Sequence, residues 1–195
     1  MTTPWRIQRL GDVGPDMVES LSALLIDCVE GGASVSFMLP LGMGRARAFW
    51  SMVGADVARG ARALLVAEDS GGICGTVQLI LEQPENQPHR ADLAKMLVHS
   101  RARRRGLGAA LMRAAEDLGR QCGKDLLVLD AVTGGDAARL YERLGWVRVG
   151  DIPGYALYPR GGLCGTTYYY RALTGAGAGP GTPPGAIPPP APAPR

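Results

Sequence analysis

A run of arginines followed by two glycines is the segment of this sequence best suited to chemistry, because it could bind phosphate. Four arginines fall within residues 101–105, and Gly106 and Gly108 follow them. The residues before this run favour a β-strand, and those after it have the apolar spacing of a helix. Free N–H groups at a helix N-terminus attract anions, and arginine grips phosphate in a fork. The sequence therefore predicts an anion site here, since the clustered positive charges would otherwise repel one another.

Two common phosphate-binding loops do not fit this chain. Gly123-Lys124 is its one Gly-Lys pair, but Asp125 follows it and Leu118 stands where a P-loop needs its first glycine. A dinucleotide fingerprint starting at Gly106 would need a third glycine at position 111, which is Leu. The glycine turn is therefore neither of these two loops.

The elements around this turn follow from apolar spacing and turn residues. We expect helices over about 15–30, 44–59, 107–122 and 137–144, the last capped by Asp136, and strands over 5–10, 63–67, 73–81, 93–98, 126–132, 146–149 and 166–171. The β-α-β stretch from 93 to 132 requires parallel pairing, whereas the turn at 69–72 makes an antiparallel hairpin. The predicted fold class is α/β with a mixed central sheet flanked by helices.

Composition excludes several classes of protein. The net charge is only +3, from 21 Lys and Arg against 18 Asp and Glu, which does not favour nucleic-acid binding even through the basic cluster at 101–105. The four cysteines form no CxxC pair and there are only two histidines, so we expect no metal site. No apolar run approaches the length of a membrane span, which is about 20 residues. The N-terminal residues do not resemble a signal peptide, so we expect a cytoplasmic protein with reduced thiols.

The last 22 residues differ in composition from the rest of the chain. Residues 174–195 contain eight Pro, five Gly and five Ala, and so offer almost nothing to bury. We expect one domain over residues 1–173 and a disordered tail over 174–195 that is dispensable for activity. Loss of activity on its deletion would contradict that expectation.

At this point the sequence resembles the GNAT superfamily of N-acetyltransferases. Residues 103–108, Arg-Arg-Arg-Gly-Leu-Gly, match its Q/R-x-x-G-x-G/A acetyl-CoA signature, and residues 141–146 resemble its Tyr-x-x-Leu-Gly-Phe segment, with Trp146 in place of Phe. A narrower resemblance is to the tabtoxin-resistance group, through residues 31–38, 90–98, 129–130 and 148–155. The resemblance covers about residues 5–173 and implies a mostly antiparallel sheet with a β-α-β core that binds acetyl-CoA. The narrower one favours a small-molecule amine, amino-acid-like or toxin- or antibiotic-like, as substrate.

The resemblance also implies roles for individual residues. Backbone N–H groups of residues 104–109 would hold the CoA pyrophosphate, the strand Met96–Val98 would pair with the pantetheine arm, and Tyr141 would protonate the leaving thiolate. The implied cofactor-binding residues are Met96, Leu97, Val98, Arg103, Arg104, Arg105, Gly106, Leu107, Gly108 and Ala109. Tyr141 could instead be a core tyrosine.

Two aspartates are the candidates for binding and deprotonating the amine. Asp92 and Asp130 lie in the two strands that flank the predicted phosphate-binding helix, so both would face the cleft between those strands. A carboxylate there would attract the ammonium and accept its proton. The related sequences have glutamate at position 92, so the shorter Asp92 would act through a water. As alternatives, Asp130 could cap a turn, and Asp92 could pair with Arg90 or Lys95.

Three questions stay open at this stage. The apolar loop around Phe37–Leu39 is either core cover or a substrate lid. Aromatic area at Thr167–Tyr170 makes a homodimer plausible. The alternative to an enzyme is a catalytically silent acyl-CoA-binding or regulatory module on the same fold.

Overall fold

The computed structural model describes residues 5–173, which form one seven-stranded sheet with helices on both faces. The elements in chain order are β1 (Arg6–Leu10), α1 (Pro15–Glu30), α2 (Met43–Ala58), β2 (Arg62–Asp69), β3 (Gly72–Ile80), β4 (Arg90–Val98), a single 3₁₀ turn (Ser100–Ala102), α3 (Leu107–Gln121), β5 (Leu126–Val132), α4 (Asp136–Arg143), β6 (Val147–Leu157) and β7 (Leu163–Ala172). The predicted tail at 174–195 lies outside the described residues, so its predicted disorder stays a prediction.

The sheet is mixed and mostly antiparallel, as predicted. Its strand order is β1-β2-β3-β4-β5-β7-β6, and β4 with β5 is the one parallel pair among the described strands. α3 connects β4 to β5, because a parallel neighbour needs a crossover rather than a tight turn. The α/β fold class predicted from the sequence is therefore confirmed.

Two apolar cores lie on the two faces of the sheet. On one face α1 and α2 pack through the fully buried Leu21, Leu25 and Trp50. On the other face α3 and α4 bury Leu111 and Tyr141. Each helix packs one apolar face against the sheet, and apolar residues therefore recur at helical spacing in the sequence.

An irregularity in β4 moves its side chains from one core to the other. Ala91 and Leu93 pack in the α3–α4 core, whereas Leu97 packs in the α1–α2 core. In a regular strand Leu93 and Leu97 would share a face, because the side chains alternate with a period of two. Lys95 lies between them with φ of 51°, and the pairing with β3 shifts register opposite it. The strand therefore bends at Lys95.

The bend separates β4 from its parallel neighbour. Pairing between β4 and β5 runs only from Arg90 with Leu126 to Asp92 with Val128. Beyond that point both strands continue, to Val98 and Val132, without pairing to each other. A cleft therefore opens between them, next to the start of α3.

The structure corrects three details of the sequence analysis. β6 runs over Val147–Leu157, far beyond the predicted 146–149. It accommodates Pro153 because it pairs with a single strand of the sheet and its pairing is irregular at two places. Asp136 does not cap α4, because the helix starts at Asp136 itself and Gly135 is in the capping position without a side-chain bond. Thr167–Tyr170 lies inside the sheet, between β5 and β6, and Thr167 and Tyr169 are buried.

The exposed apolar area near the C-terminal strands is on β6 rather than at Thr167–Tyr170. Within residues 5–173, β6 pairs only with β7. Its exposed apolar side chains are those of Val147, Val149, Ile152, Tyr155 and Leu157. A homodimer stays a prediction, and this strand replaces Thr167–Tyr170 as the surface that would carry it.

In residues 5–173 no helix combines the length and the apolar character that a membrane-spanning helix needs.

Candidate active site

The glycine turn is built as a helix N-terminus with its donors uncovered. Gly106 is the residue that precedes α3, with φ of 85°. No side chain caps this end of the helix, so the N–H groups of its first turn lack the usual side-chain acceptor. The turn therefore has main-chain donors that could bind an anion, and the anion site stays a prediction.

The four arginines of the turn are not equivalent. Arg101 binds Asp69 at 2.5 Å and the carbonyl oxygen of Ile73, and Arg103 donates to the carbonyl oxygen of Val98 at 3.0 Å. Arg104 is 87% exposed and reaches Asp136 only at 3.4 Å. Arg105 is also exposed.

Repulsion among the four arginines is therefore weaker than the sequence predicted. Asp69 neutralises Arg101, and its bond to Arg101 is the main reason why the pKa of Asp69 is lowered. Acidic residues distant in sequence thus relieve part of the crowding, which no local pattern shows. Arg104 and Arg105 remain as the side chains available to a phosphate.

Gly106 and Gly108 are each required for a different structural reason. A Cβ on Gly106 would meet no atom within 4 Å, so its positive φ is the constraint. A Cβ on Gly108 would lie 3.1 Å from Leu140 of α4 and 3.9 Å from Met96 of β4. Gly108 therefore permits close packing between α3, α4 and β4, and its implied part in cofactor binding stays a prediction.

Replacing Gly106 with alanine should destabilise the fold by about 1–2 kcal/mol, because an L-residue pays that penalty in the left-handed region. Urea unfolding followed by circular dichroism measures the change. The control is Gly44→Ala in α2, a glycine without positive φ and with open space around its Cβ. Equal stability of the two variants would contradict the strain assigned to Gly106.

Tyr141 lies on α4 and belongs to the α3–α4 core. Its ring packs against Trp146 and Tyr169, with centroids 6.1 and 5.9 Å away, and the residue is 5% exposed. Burial raises the pKa of Tyr141 well above its ordinary value, and the Asp130 carboxylate adds to the rise. No side chain in residues 5–173 hydrogen-bonds to its hydroxyl. Tyr141 is thus both a core residue and a protonated hydroxyl within electrostatic reach of Asp130.

Asp130 projects from β5 into a pocket of about 320 Å³. Thr166 of β7 donates to its carboxylate at 2.8 Å and fixes its orientation. Asp130 has no salt bridge within 4.0 Å in the described residues and is exposed. The expectation of a turn cap does not hold, because Asp130 lies inside a strand that continues to Val132.

Asp92 is held differently. Arg90 binds its carboxylate, and Gln83 donates to it at 3.1 Å. The structural alternative, pairing with Arg90, is therefore what the structure shows, although the carboxylate remains 38% exposed. Asp92 and Asp130 lie on the same face of the sheet, because Asp92 pairs with Val128, two residues before Asp130.

Two tyrosines stand beside Asp130. Tyr168 is its cross-strand partner in β7, and the Tyr168 and Tyr155 hydroxyls are 3.0 Å apart. That hydrogen bond is the main cause that raises the pKa of Tyr168 to about 12, with Asp130 and Asp92 contributing. The carboxylate and the aromatic rings together suit a cationic amine.

The apolar loop of residues 31–42 forms the opposite wall of the pocket. Phe37 contacts the ring of Phe49 at 5.3 Å and packs on the α1–α2 core, while Met38 is 37% exposed and lines the pocket. Ser34 donates to the carbonyl oxygen of Leu157 and so ties the loop to β6. The loop is therefore core cover and pocket wall together.

Sequence reasoning missed the role of Lys95 beyond a partner for Asp92. Its ammonium lies 3.3 Å from Ser36 Oγ and 5.7 Å from the centroid of Phe49. Burial is the main cause that lowers its pKa, and the charge of Arg62 lowers it further. The sequence pattern could not have indicated these contacts, because the bend in β4 that turns Lys95 toward Ser36 depends on pairing between strands.

Within the part of the chain that the structure describes, no three His, Cys, Asp or Glu side chains come together in a way that could hold an ion. The chemistry of the cleft is that of two carboxylates, a lysine, a tyrosine and main-chain donors.

Comparisons with known proteins agree with this geometry. Residues 60–148 match a protein family described as an acetyltransferase (GNAT) domain. This span runs from the end of α2 to the start of β6 and contains the whole β4–α3–β5 cleft.

Solved structures show the same fold. The chain superposes on the candidate acetyltransferase yncA of Salmonella typhimurium, solved with its cofactor acetyl-CoA, at 18% identity and a TM-score of 0.72, covering 90% of this chain and 98% of that one. A ribosomal-protein-alanine N-acetyltransferase of Brucella melitensis is similar at 20% identity and 0.71, covering 86% and 99%. A candidate phosphinothricin N-acetyltransferase is similar at 17% identity and 0.71, covering 88% and 99%.

At these identities the likeness shows the fold. The domain match agrees with the resemblance to the GNAT superfamily over residues 60–148. The narrower resemblance to the tabtoxin-resistance group stays a prediction.

Proposed function

We propose that this chain, which carries a GNAT acetyltransferase domain, is an N-acetyltransferase that moves the acetyl group of acetyl-CoA directly to the amine of a small molecule in the cytoplasm. The observation that carries the proposal is the β4–β5 cleft, which opens beside the uncapped start of α3 and has Asp130 and Tyr141 within electrostatic reach of each other.

The start of α3 suits the pyrophosphate of the co-substrate. Main-chain N–H groups of residues 104–109 would hold its oxygens, and the exposed Arg104 and Arg105 would add charge. Along β4, backbone groups of Met96–Val98 have no partner in β5. Apart from the Val98 carbonyl oxygen, which accepts from Arg103, they would pair with the amide-bearing pantetheine arm, and a backbone N–H among them would polarise the thioester carbonyl.

The side chains of the cleft fit the proton steps of the reaction. Asp130 binds the substrate ammonium and accepts its proton, directly or through a water, which leaves a neutral amine to attack. The new C–N bond forms as the C–S bond breaks. Tyr141, whose raised pKa keeps it protonated, donates its proton to the leaving thiolate. The second proton, which the nitrogen loses as the amide forms, passes through water to restore the Tyr141 hydroxyl, and Asp130 returns the first proton to the solvent. Asp92, held by Arg90, adds negative charge and acts through water.

The pocket favours a small amine over a protein chain. Its volume is about 320 Å³, and the loop 31–42 walls it on the side opposite Asp130. An amino-acid-like or toxin- or antibiotic-like amine fits this space. The test is a screen of such amines with acetyl-CoA that records release of free thiol. Turnover of a peptide N-terminus but of no small amine would contradict this substrate class.

A catalytically silent acyl-CoA-binding module is the alternative. Asp130 and Tyr141 favour the enzyme, because a binding module needs neither a free carboxylate nor a buried acid near the thioester. Isothermal titration with CoA separates the two. Binding without thiol release on any amine of the screen would support the silent module.

Replacing both Arg104 and Arg105 with alanine should weaken CoA binding about tenfold or more, because charged hydrogen bonds to phosphate contribute roughly 1.5–3 kcal/mol each when well formed and less when exposed. The dissociation constant for CoA should also lose part of its salt dependence. Arg113→Ala, which removes an exposed arginine of α3, is the matched control. Unchanged affinity in the double variant, or a co-crystal without CoA at this turn, would remove the basis of the proposed reaction.

A further inference from the structure

Lys95 is a half-buried cation that has no carboxylate partner. No Asp or Glu oxygen lies within 4.0 Å of its ammonium in residues 5–173. Its one side-chain hydrogen bond there goes to Ser36 Oγ at 3.3 Å. A buried charge is costly unless it is paired or hydrogen-bonded, so a lysine in this state is poised to accept an anion.

The position of Lys95 links it to the substrate pocket. Ser36, its hydrogen-bond partner, lines the pocket together with Asp130. The Asp130 charge acts on Lys95 and favours its protonated form, although the two side chains make no salt bridge. The two opposite charges are therefore near enough to interact electrostatically, although more than 4.0 Å separates them.

The backbone holds the lysine in this place. Lys95 has φ of 51° at the bend of β4, in a region that residues other than glycine seldom adopt. Its neighbour Ser36 has φ of 74°. Backbone strain of this kind persists where the surrounding structure enforces it, and it gathers at ligand sites.

A second polar group near Lys95 lacks a partner. Gln78 of β3, opposite Ala94 of β4, is fully buried, and its amide nitrogen has no acceptor in the described residues. Its amide oxygen accepts from Arg62 at 2.6 Å. Arg62 is the residue whose charge also acts on Lys95. This corner of the fold therefore has donors in excess of acceptors.

We propose that Lys95 binds an anionic group of the substrate while Asp130 binds its ammonium, so that the enzyme selects zwitterionic amines, such as amino carboxylic acids, over neutral or purely cationic ones. The inference rests on the proposed acetyl transfer. It assigns to Lys95 a role in specificity, with no part in the proton steps.

The chain contains only two lysines, Lys95 and Lys124, which makes a direct test possible. Protein labelled with [ε-¹³C]lysine gives one signal for each, and the signal lost in Lys95→Met identifies Lys95. Lys124 donates to the carbonyl oxygens of Leu81 and Pro88 and serves as the internal reference. The probes, added with CoA, are glycine, β-alanine and 4-aminobutyrate, each paired with its own amide.

The Lys95 signal should move with at least one carboxylate and remain in place with the matching amide, while the Lys124 signal does not respond. In thiol-release assays that carboxylate should exceed its amide about tenfold in kcat/KM, the factor that one charged contact provides. Lys95→Met should abolish this preference mainly through KM, and Lys95→Arg should retain part of it. Arg9→Met, which removes an exposed charge on β1, is the control variant.

The outcomes separate this inference from the proposed function. Acetylation of carboxylates and amides at equal rates, with a static Lys95 signal, overturns the role of Lys95 and leaves acetyl transfer intact. If no amine releases thiol, the proposed function fails, and the Lys95 signal then decides alone: movement with a carboxylate supports the anion site, and its absence with all three overturns it.

Discussion

Replacing Asp130 with asparagine should lower kcat/KM for acetyl transfer by about 10²–10³-fold, which is the usual contribution of a positioned general base. The amine would be the best substrate of the screen. Asparagine keeps the size of the side chain and can still accept from Thr166, which binds the carboxylate at 2.8 Å. It cannot attract an ammonium or take up its proton, so the chemical step is lost while the pocket stays intact.

Two measurements restrict the interpretation of Asp130→Asn. The affinity for CoA should not change, because the proposed CoA contacts are those of residues 96–98 and 104–109, and Asp130 is not among them. The matched control is Asp117→Asn, which removes a carboxylate that is 70% exposed on α3. Since Asp92 is already paired with Arg90, Asp92→Asn should have the smaller effect. If alanine at neither position changes kcat/KM by more than a few-fold, the assignment of both carboxylates is wrong.

Replacing Tyr141 with phenylalanine should lower kcat by about 10²-fold, the lower end of the range for a general acid, because the thiolate would then leave without a proton donor. The ring contacts with Trp146 and Tyr169 remain in this variant. The hydroxyl makes no side-chain hydrogen bond within residues 5–173, so its removal should leave the melting temperature within a few degrees of the parent protein.

Tyr169→Phe is the matched control for Tyr141. Tyr169 belongs to the same aromatic group, but its hydroxyl donates to Glu142 on the side of α4. Its loss should affect stability slightly and kcat little. Equal kcat in Tyr141→Phe and the parent enzyme, with CoA affinity unchanged, would make Tyr141 a core tyrosine and assign the protonation step to water.

Much of the fold could be predicted from local patterns in the sequence. Period and turn residues located all the helices and strands between residues 5 and 173, and Leu126–Val132 was predicted with the bounds that the structure has. Such patterns can be recognised because each helix or strand buries one face, so apolar residues recur in the sequence at the period of that element. The same reasoning placed Gly106 at the start of α3, because a strand, a glycine and an apolar helix follow one another.

Features that depend on contacts between distant segments could not be predicted from the sequence. β6 extends to Leu157 because β7 offers it a partner, although Pro153 in its own sequence predicts an earlier end. Arg101 donates to Asp69, and Arg103 donates to the Val98 carbonyl oxygen. The number of arginines in the sequence therefore overstated the positive charge that is left to bind an anion.

The chemical residues divide along the same line. Amino-acid type and spacing were enough to select Asp92, Asp130, Tyr141 and the glycine turn as candidates, because each lies at a recognisable point of a strand or helix. Their states depend on contacts between elements: Arg90 occupies Asp92, Thr166 orients Asp130, and the bend in β4 brings Lys95 to Ser36. Charge, burial and reach are properties of neighbours in space, and a linear pattern records only neighbours along the chain.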